Sequence, residues 1–253
     1  MITSYTNPKL KNIRELMNRS RARKKAGAFV TEGIRMFHEI PGELIEEVYV
    51  SESFHEKNPE ISGETVSEPV FRKLSDTQNP QGILCVVKQP VFEADACLGG
   101  EQGLFLILER IQDPGNLGTI VRTAEAAGVS CIIMDRDTTD LYSPKVIRST
   151  MGSVFRVPCF YTEDLRGSLG GMKAKGIALY AADLKGSAPY NEVQYPEKTA
   201  FMIGNEGNGL KPETAEMADV RIRIPMKGKT ESLNAAVAAA LLMYGYMNVS
   251  GGA

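Results

Sequence analysis

The chain has 253 residues, 43% of them hydrophobic and 24% charged, enough apolar material for one large or two small domains without disulfide or metal support. Its longest uninterrupted apolar run, nine residues from Ala235 to Met243, falls far short of the roughly 20 that a membrane helix needs. The N-terminus is polar, then basic, with no apolar signal core, so membrane and secreted readings are excluded and a cytoplasmic protein is expected.

In chain order, Asn7-Pro8 opens a helix, because asparagine caps and proline suits the first helical position. Leu10, Ile13, Leu16 and Met17 follow at helical spacing. The other faces carry Lys9, Lys11, Arg14, Arg19, Arg21, Arg23, Lys24 and Lys25. The overall charge of −2 therefore hides an asymmetry: residues 1–40 carry a net +6, residues 41–100 a net −7 and the remainder a net −1. A basic stripe on an otherwise acidic chain points to a polyanion as partner, although a solvated helix face accounts for the charge equally well. After Gly27 the pattern reads strand, then helix through Glu39, then strands at 48–50 and 83–87. This makes an α/β unit over residues 1–88.

Residues 89–101, bracketed by Gln89-Pro90 and Gly99-Gly100, have little periodicity and read as a linker. From 102 to 253 the alternation is regular. Strands are expected at 104–108, 131–134, 157–161, 177–181, 199–203 and 220–224, and helices at 117–127, 144–151, 164–175 and 233–247. Repeated strand–helix–strand units predict a mostly parallel sheet covered on both faces, with ligands bound where loops leave the carboxyl ends of its strands.

The chemistry-bearing residues sit in three such loops. The first holds Asp113, Pro114, Asn116, which reads as a helix cap, and Arg122 almost two turns later in a largely apolar helix. An arginine there calls for an anion. The second, Gly204-Asn205-Glu206-Gly207-Asn208-Gly209-Leu210, allows positive φ and close approach of a ligand to backbone. A tight turn explains its glycines but not Glu206. The third runs from Ile224-Pro225-Met226 to Ser232-Leu233-Asn234 and into an alanine-rich helix that Ser232 is placed to cap. Gly228-Lys229-Thr230 is not a phosphate loop, because Ile224 stands where the leading glycine belongs.

Other chemistries are poorly served. The cysteines, Cys85, Cys97, Cys131 and Cys159, form no CxxC pair, and the two histidines, His38 and His55, lie early in the chain. Zinc clusters are absent and a Ser-His-Asp triad is disfavoured, leaving the cysteines as reduced thiols. A dinucleotide-dependent oxidoreductase lacks its G-x-G-x-x-G after the first strand of the regular region.

Taken together, Asn116-Leu117-Gly118 with Arg122-Thr123-Ala124, Gly204-Asn205-Glu206-Gly207 with Gly209-Leu210, and Ile224-Pro225-Met226 with Ser232-Leu233-Asn234 closely resemble the SpoU-type (TrmH-like) RNA ribose 2′-O-methyltransferases of the SPOUT class. Ser143-Pro144-Lys145 through Gly152 adds to the match, which covers about 104–248. The resemblance implies an α/β fold whose sheet ends in a C-terminal trefoil knot, preceded by a small L30e-like RNA-binding domain. It implies S-adenosylmethionine held mainly by backbone at Gly204, Ile224, Leu233 and Ala182, a homodimer with the site at the subunit interface, and no metal. Arg122, Asn116, Glu206, Ser232 and Asn234 would carry catalysis.

Accounts of the family let the arginine accept the proton. A guanidinium almost never deprotonates, so stabilising the 2′-oxyanion or clamping a phosphate is the physically cheaper role. Glu206 as sole general base is the lesser one. The substrate expected is ribosomal RNA, contacted by the basic residues between Lys9 and Lys25. The alternatives are a tRNA substrate or a non-catalytic RNA-binding assembly factor on the same fold.

Overall fold

A computed structural model of the chain describes residues 1–185 and 188–250. The chain forms two compact units, one of Met1–Val91 together with Asp140–Phe155, the other of Phe92–Thr139 and the residues from Arg156 onward.

The first unit opens with α1 (Pro8–Asn18), where the Asn7 side chain accepts the Lys9 N–H and Leu10, Ile13 and Leu16 are buried. Next come α2 (Ser20–Ala26), ended by Gly27 in the left-handed region at φ 61°, and β1 (Ala28–Glu32). Then follow α3 (Ile34–Glu39), β2 (Ile45–Ser51), α4 (Glu52–Lys57), β3 (Glu64–Val66), α5 (Glu68–Leu74) and β4 (Ile83–Lys88). The sheet order is β1-β4-β2-β3, with β4 antiparallel to both neighbours and β3 parallel to β2.

The second unit begins inside the expected linker. Residues 94–98 form a short helix, α6 (Ala94–Leu98), and Cys97 and Leu98 pack onto the core of this unit. Then follow β5 (Gly103–Leu108), α7 (Pro114–Ala126) and β6 (Cys131–Asp135), and, beyond α8 (Pro144–Thr150), β7 (Cys159–Thr162), α9 (Leu165–Ala174), β8 (Ala178–Ala182), β9 (Ala188–Pro189), β10 (Lys198–Ile203), α10 (Pro212–Ala215), β11 (Val220–Arg223) and α11 (Ala235–Ser250). The order is β7-β6-β5-β10-β8-β11-β9, and every pairing is parallel. Residues 104–108 are fully buried, as a strand covered on both faces requires. From β5 the chain builds outward through β6 and β7, whereas the later strands lie on the other side, so the order reverses between β5 and β10. That reversal is where doubly wound sheets open a crevice for ligands.

The α8 segment, expected within the second domain, packs in the first unit. Phe29 packs against Tyr142 in a tilted pair and stacks on Phe155, at centroid distances of 4.9 and 6.0 Å, and Arg148 pairs with Asp76 at 2.7 Å. Arg23 is the buried anchor. Its Nε and Nη2 donate to Asp140 Oδ2 at 3.0 and 2.7 Å, and Nη1 donates to the carbonyls of Leu16 and Met17. Only 4% of Arg23 is exposed, so it leaves the set of residues expected to face RNA. Its partner lies 117 positions away, a separation that helix periodicity does not register.

Candidate active site

The loops after β5 and β10 stand side by side at the point of strand reversal, and both end in close-fitting polar contacts. Glu109 and Asp135, each closing an apolar strand, are buried acids. Glu109 accepts the Lys211 N–H and the Thr214 hydroxyl, each at 2.7 Å. Asp135 Oδ1 accepts the backbone N–H groups of Arg110 and Thr138 and the Thr138 hydroxyl. Arg110 itself adopts φ 56°, a conformation that these bonds hold in place against its steric cost. Sequence reasoning passed over these acids. Their signal was there: a single carboxylate at the carboxyl end of a wholly apolar strand needs buried donors.

Asn116 joins all three motif loops. Its Nδ2 donates to Glu206 Oε1 at 3.0 Å, and its Oδ1 accepts from Asn234 Nδ2 at 2.8 Å. It is free to do so because Asp113, not Asn116, caps α7, its Oδ1 accepting the Asn116 N–H at 2.9 Å. The cap of α11 differs likewise. Asn234 Oδ1 accepts the N–H groups of Ala236 and Val237, while Ser232, two residues earlier, is exposed and makes no hydrogen bond among the described residues. In α7 this leaves the Asn116 side chain for other work, whereas in α11 Asn234 caps through Oδ1 and reaches Asn116 through Nδ2.

Glu206 is a fully occupied acceptor. Oε1 takes the Asp113 N–H and the Asn116 amide, and Oε2 takes the Gln112 N–H at 3.2 Å and the Asn205 amide at 3.4 Å. Burial pushes this carboxyl up, but the Asn116 amide and the backbone N–H donors outweigh it and hold it below the usual carboxylate range. A group whose folded pKa lies below its unfolded value stabilises above the unfolded value, about 4.3 for glutamate. The contribution disappears as pH falls through the folded value. The stability difference between wild type and Glu206→Gln should thus be constant above about pH 5 and close in stronger acid, as followed by urea unfolding. A gap independent of pH would show that ionisation does not hold the loop.

Asn205, also missed, braces the loop from within. Its Oδ1 accepts the N–H groups of Gly207 and Asn208, and its Nδ2 donates to the Arg110 carbonyl. Backbone bonds between Asn205 and Gly209 run both ways at 3.1 and 2.8 Å. This closure explains Gly204: a Cβ there would stand 2.1 Å from both Gly209 C and Leu210 N. Gly204→Ala should cost about 1–3 kcal/mol by overpacking, measured by urea unfolding. A neutral result would mean that the loop yields freely.

Of the residues expected at the cofactor, three adjoin. β10, β8 and β11 are neighbours, with Met202 level with Ala181 and Ile222 level with Ala182. Ala182 ends β8, and Gly204 and Ile224 directly follow β10 and β11. Their side chains are small or apolar, so at this edge the main chain presents the polar groups. Leu233 is half-buried in the stretch before α11, next to Asn234. Arg122 makes no hydrogen bond or ion pair with the Asn116–Glu206–Asn234 cluster. It is exposed on α7, six residues beyond Asn116, and unpaired among the described residues.

The cations of the basic stripe differ in exposure and in the partners they meet. Lys9 pairs with Glu64 across the first unit, and that hydrogen bond raises its pKa. Lys11, Arg19, Arg21, Lys24 and Lys25 are exposed. Among the described residues no group of His, Cys, Asp and Glu is arranged to hold a metal ion. No helix among them is long and apolar enough to cross a membrane.

The model of the SpoU rRNA methylase family matches residues 103–244, and that of the MRM3-like substrate binding domain matches residues 7–85. The chain belongs to the SpoU methylase family. A SpoU relative, the 23S rRNA (guanosine(2553)-2'-O)-methyltransferase RlmP of Bacillus subtilis, is 40% identical over 139 residues, 55% of this chain and 56% of that protein. The chain thus spans little more than half the length of the curated relatives it matches. An AdoMet-bound rRNA methyltransferase from Sinorhizobium meliloti has a similar structure, with a TM-score of 0.83 at 30% identity over 98% of this chain and 97% of the other. The A. aeolicus TrmH/SpoU tRNA modifying enzyme gives a TM-score of 0.54 at 28% identity, over 61% of this chain and 79% of that one. The SpoU fold expected from the motifs, a mainly parallel α/β sheet, is the fold observed.

Proposed function

We propose that this SpoU protein transfers a methyl group from S-adenosylmethionine to a ribose 2′-hydroxyl of ribosomal RNA. The observation that carries the reading is the convergence of Asn116, Glu206 and Asn234, from three separate loops, at the strand reversal. The cofactor fits the edge formed by Ala182, Gly204 and Ile224, where three parallel strands end together without bulky or charged side chains. Leu233 lies close by in sequence, and family membership adds a trefoil knot around this edge. When bound, the cofactor supplies an electrophilic sulfonium methyl for in-line attack by the hydroxyl.

Within this reading the chain's own residues position and polarise. Arg122 keeps its proton and stabilises the negative charge growing on the 2′-oxygen, or clamps the adjoining phosphate. Glu206, ionised and with its lone pairs already taken, holds Asn116 and the first loop in register and does not act as the base. Asn234 fixes the other side of Asn116, and Ser232 remains available to RNA.

The unpaired state of Arg122 among the described residues fits a homodimer in which each site draws on both subunits. An apolar stripe on α11 supports it. Val237, Tyr244 and Met247 lie on one side of that helix and are 49%, 44% and 37% exposed, while α11 packs against α7, which carries Arg122.

Residues 1–88 are assigned to RNA binding. Ribosomal RNA is favoured because the likeness to the rRNA methyltransferase runs the length of the chain, whereas that to the tRNA modifying enzyme covers 61% of it.

The test is incubation with methyl-labelled S-adenosylmethionine and separated ribosomal and transfer RNA from cells lacking the gene, followed by digestion to nucleosides. Label in a 2′-O-methylnucleoside of ribosomal RNA is the expected result. Label on a base, or in transfer RNA alone, would overturn the reaction or the substrate.

A further inference from the structure

The first unit carries an aromatic and cationic cleft on the outer face of α1. Tyr5 lies just before the helix. The Arg14 guanidinium carbon sits 4.1 Å from its ring centroid, and Lys73 Nζ of α5 lies 4.5 Å from the same centroid. Arg14 Nε donates to the Leu10 carbonyl at 3.3 Å, which fixes the guanidinium plane, and Arg14 has no carboxylate partner among the described residues. Lys11, Glu15, Asn18 and Arg19 complete the lining of an open cleft of about 440 Å³, a volume within the range of small-molecule sites. Three cations, Lys11, Arg14 and Arg19, thus line the cleft with one carboxylate, Glu15, and Lys73 adds a fourth positive charge at the Tyr5 ring.

We infer that this cleft seats one unpaired nucleotide of a single-stranded RNA segment, its base stacked on the Arg14–Tyr5 platform and its phosphate held by Lys11 and Arg19. The inference rests on the RNA-binding reading of the first unit and adds where, and through which groups, a strand is gripped.

Charge alone would make every exposed lysine of the stripe equivalent, but the structure does not. Arg23 is committed to Asp140 and Lys9 to Glu64. Arg14 instead sits over a ring, its guanidinium carbon 4.1 Å from the Tyr5 centroid, half-buried and without a counter-ion among the described residues, which leaves its planar group for a π-face. Guanidinium planes and aromatic rings are the surfaces on which splayed-out bases stack, with little regard for base identity. Duplex RNA offers no such face, since its bases are already stacked, so the cleft selects a loop, bulge or end.

The test uses the full chain and a fluorescently labelled six-nucleotide oligouridylate, with fluorescence anisotropy as readout and a self-complementary RNA duplex as comparison. Base–aromatic stacking contributes about 1–3 kcal/mol per base. Tyr5→Ala and Arg14→Ala should therefore weaken oligouridylate binding roughly five- to 150-fold. Arg14→Lys, which keeps the charge but not the plane, should weaken it nearly as much, and Tyr5→Phe should bind like wild type. Lys11→Ala and Arg19→Ala should each lower the salt dependence by about one phosphate contact. S-adenosylmethionine affinity should be unchanged in all of them, as should circular dichroism. Oligouridylate binding equal in wild type, Arg14→Ala and Arg14→Lys would overturn the seat, as would a failure of wild type to bind it. In either case methyl transfer to ribosomal RNA could still proceed. Transfer failing in wild type while the oligouridylate result holds would instead count against the methyltransferase reading.

Discussion

Arg122→Ala is expected to lower methyl transfer to RNA by two to three orders of magnitude while S-adenosylmethionine affinity stays within a few-fold. Removing one donor aimed at a developing oxyanion costs about 10²–10³ in rate, and this side chain makes no hydrogen bond to the cofactor edge at Ala182, Gly204 and Ile224. Because Arg122 is exposed and unpaired among the described residues, its removal leaves nothing buried unsatisfied. Stability should therefore move by no more than about 0.5 kcal/mol. Arg122→Lys should recover little, because an ammonium cannot present two parallel donors to an oxyanion or phosphate. Single-turnover transfer, with calorimetric titration of the cofactor, reads the two effects separately. Loss of transfer and cofactor binding together would make the arginine structural.

The largest stability effect is expected within the first unit. Asp140→Ala strips the counter-charge from Arg23, whose side chain is 5% exposed, and breaking a buried pair from one side costs about 3–5 kcal/mol. Asp140 is itself 18% exposed, which places the expected loss near the lower figure. The measurement is urea unfolding of Asp140→Ala, Arg23→Met and the double variant. The double variant should lose less than the sum of the singles, since it leaves no unpaired buried charge. A loss below about 1 kcal/mol in Asp140→Ala would show that water reaches the guanidinium and that the α8 segment is held by its aromatic contacts and the Arg148–Asp76 pair. The comparison also bears on function. If Arg23 only anchors α8, RNA affinity in Arg23→Met should follow the folded fraction and nothing else.

The contrast between these two arginines shows where reading a sequence succeeds. Arg122 sits in a helix whose other residues are mostly apolar, and the sequence alone marked it as a cation without a local reason. Arg23 sits among four neighbouring cations, Arg19, Arg21, Lys24 and Lys25, and looked like one more member of a solvated stripe. The difference is Asp140, and nothing in residues 19–25 refers to it.

Local chemistry determined a good deal. The near-continuous apolar run at 104–108 fixed a buried parallel strand, Asn7-Pro8 fixed the start of α1, and glycine-bearing loops at strand ends fixed where a ligand site had to lie. Glu206 was legible because a tight turn gives it no role, and Asn116 and Asn234 because they belong to the motifs that carry the family resemblance. Tertiary structure decided the rest. Asp113 and Asn234, rather than Asn116 and Ser232, took the capping bonds because cap choice depends on which N–H each side chain reaches. Asn205, Glu109 and Asp135 became supports only when β5, β6 and β10 were set side by side. α8 joined the first unit through Phe29, Asp76 and Arg23. Periodicity reports which face of an element is buried, whereas the partner of a buried charge or amide is chosen by packing between segments that the sequence does not order in space.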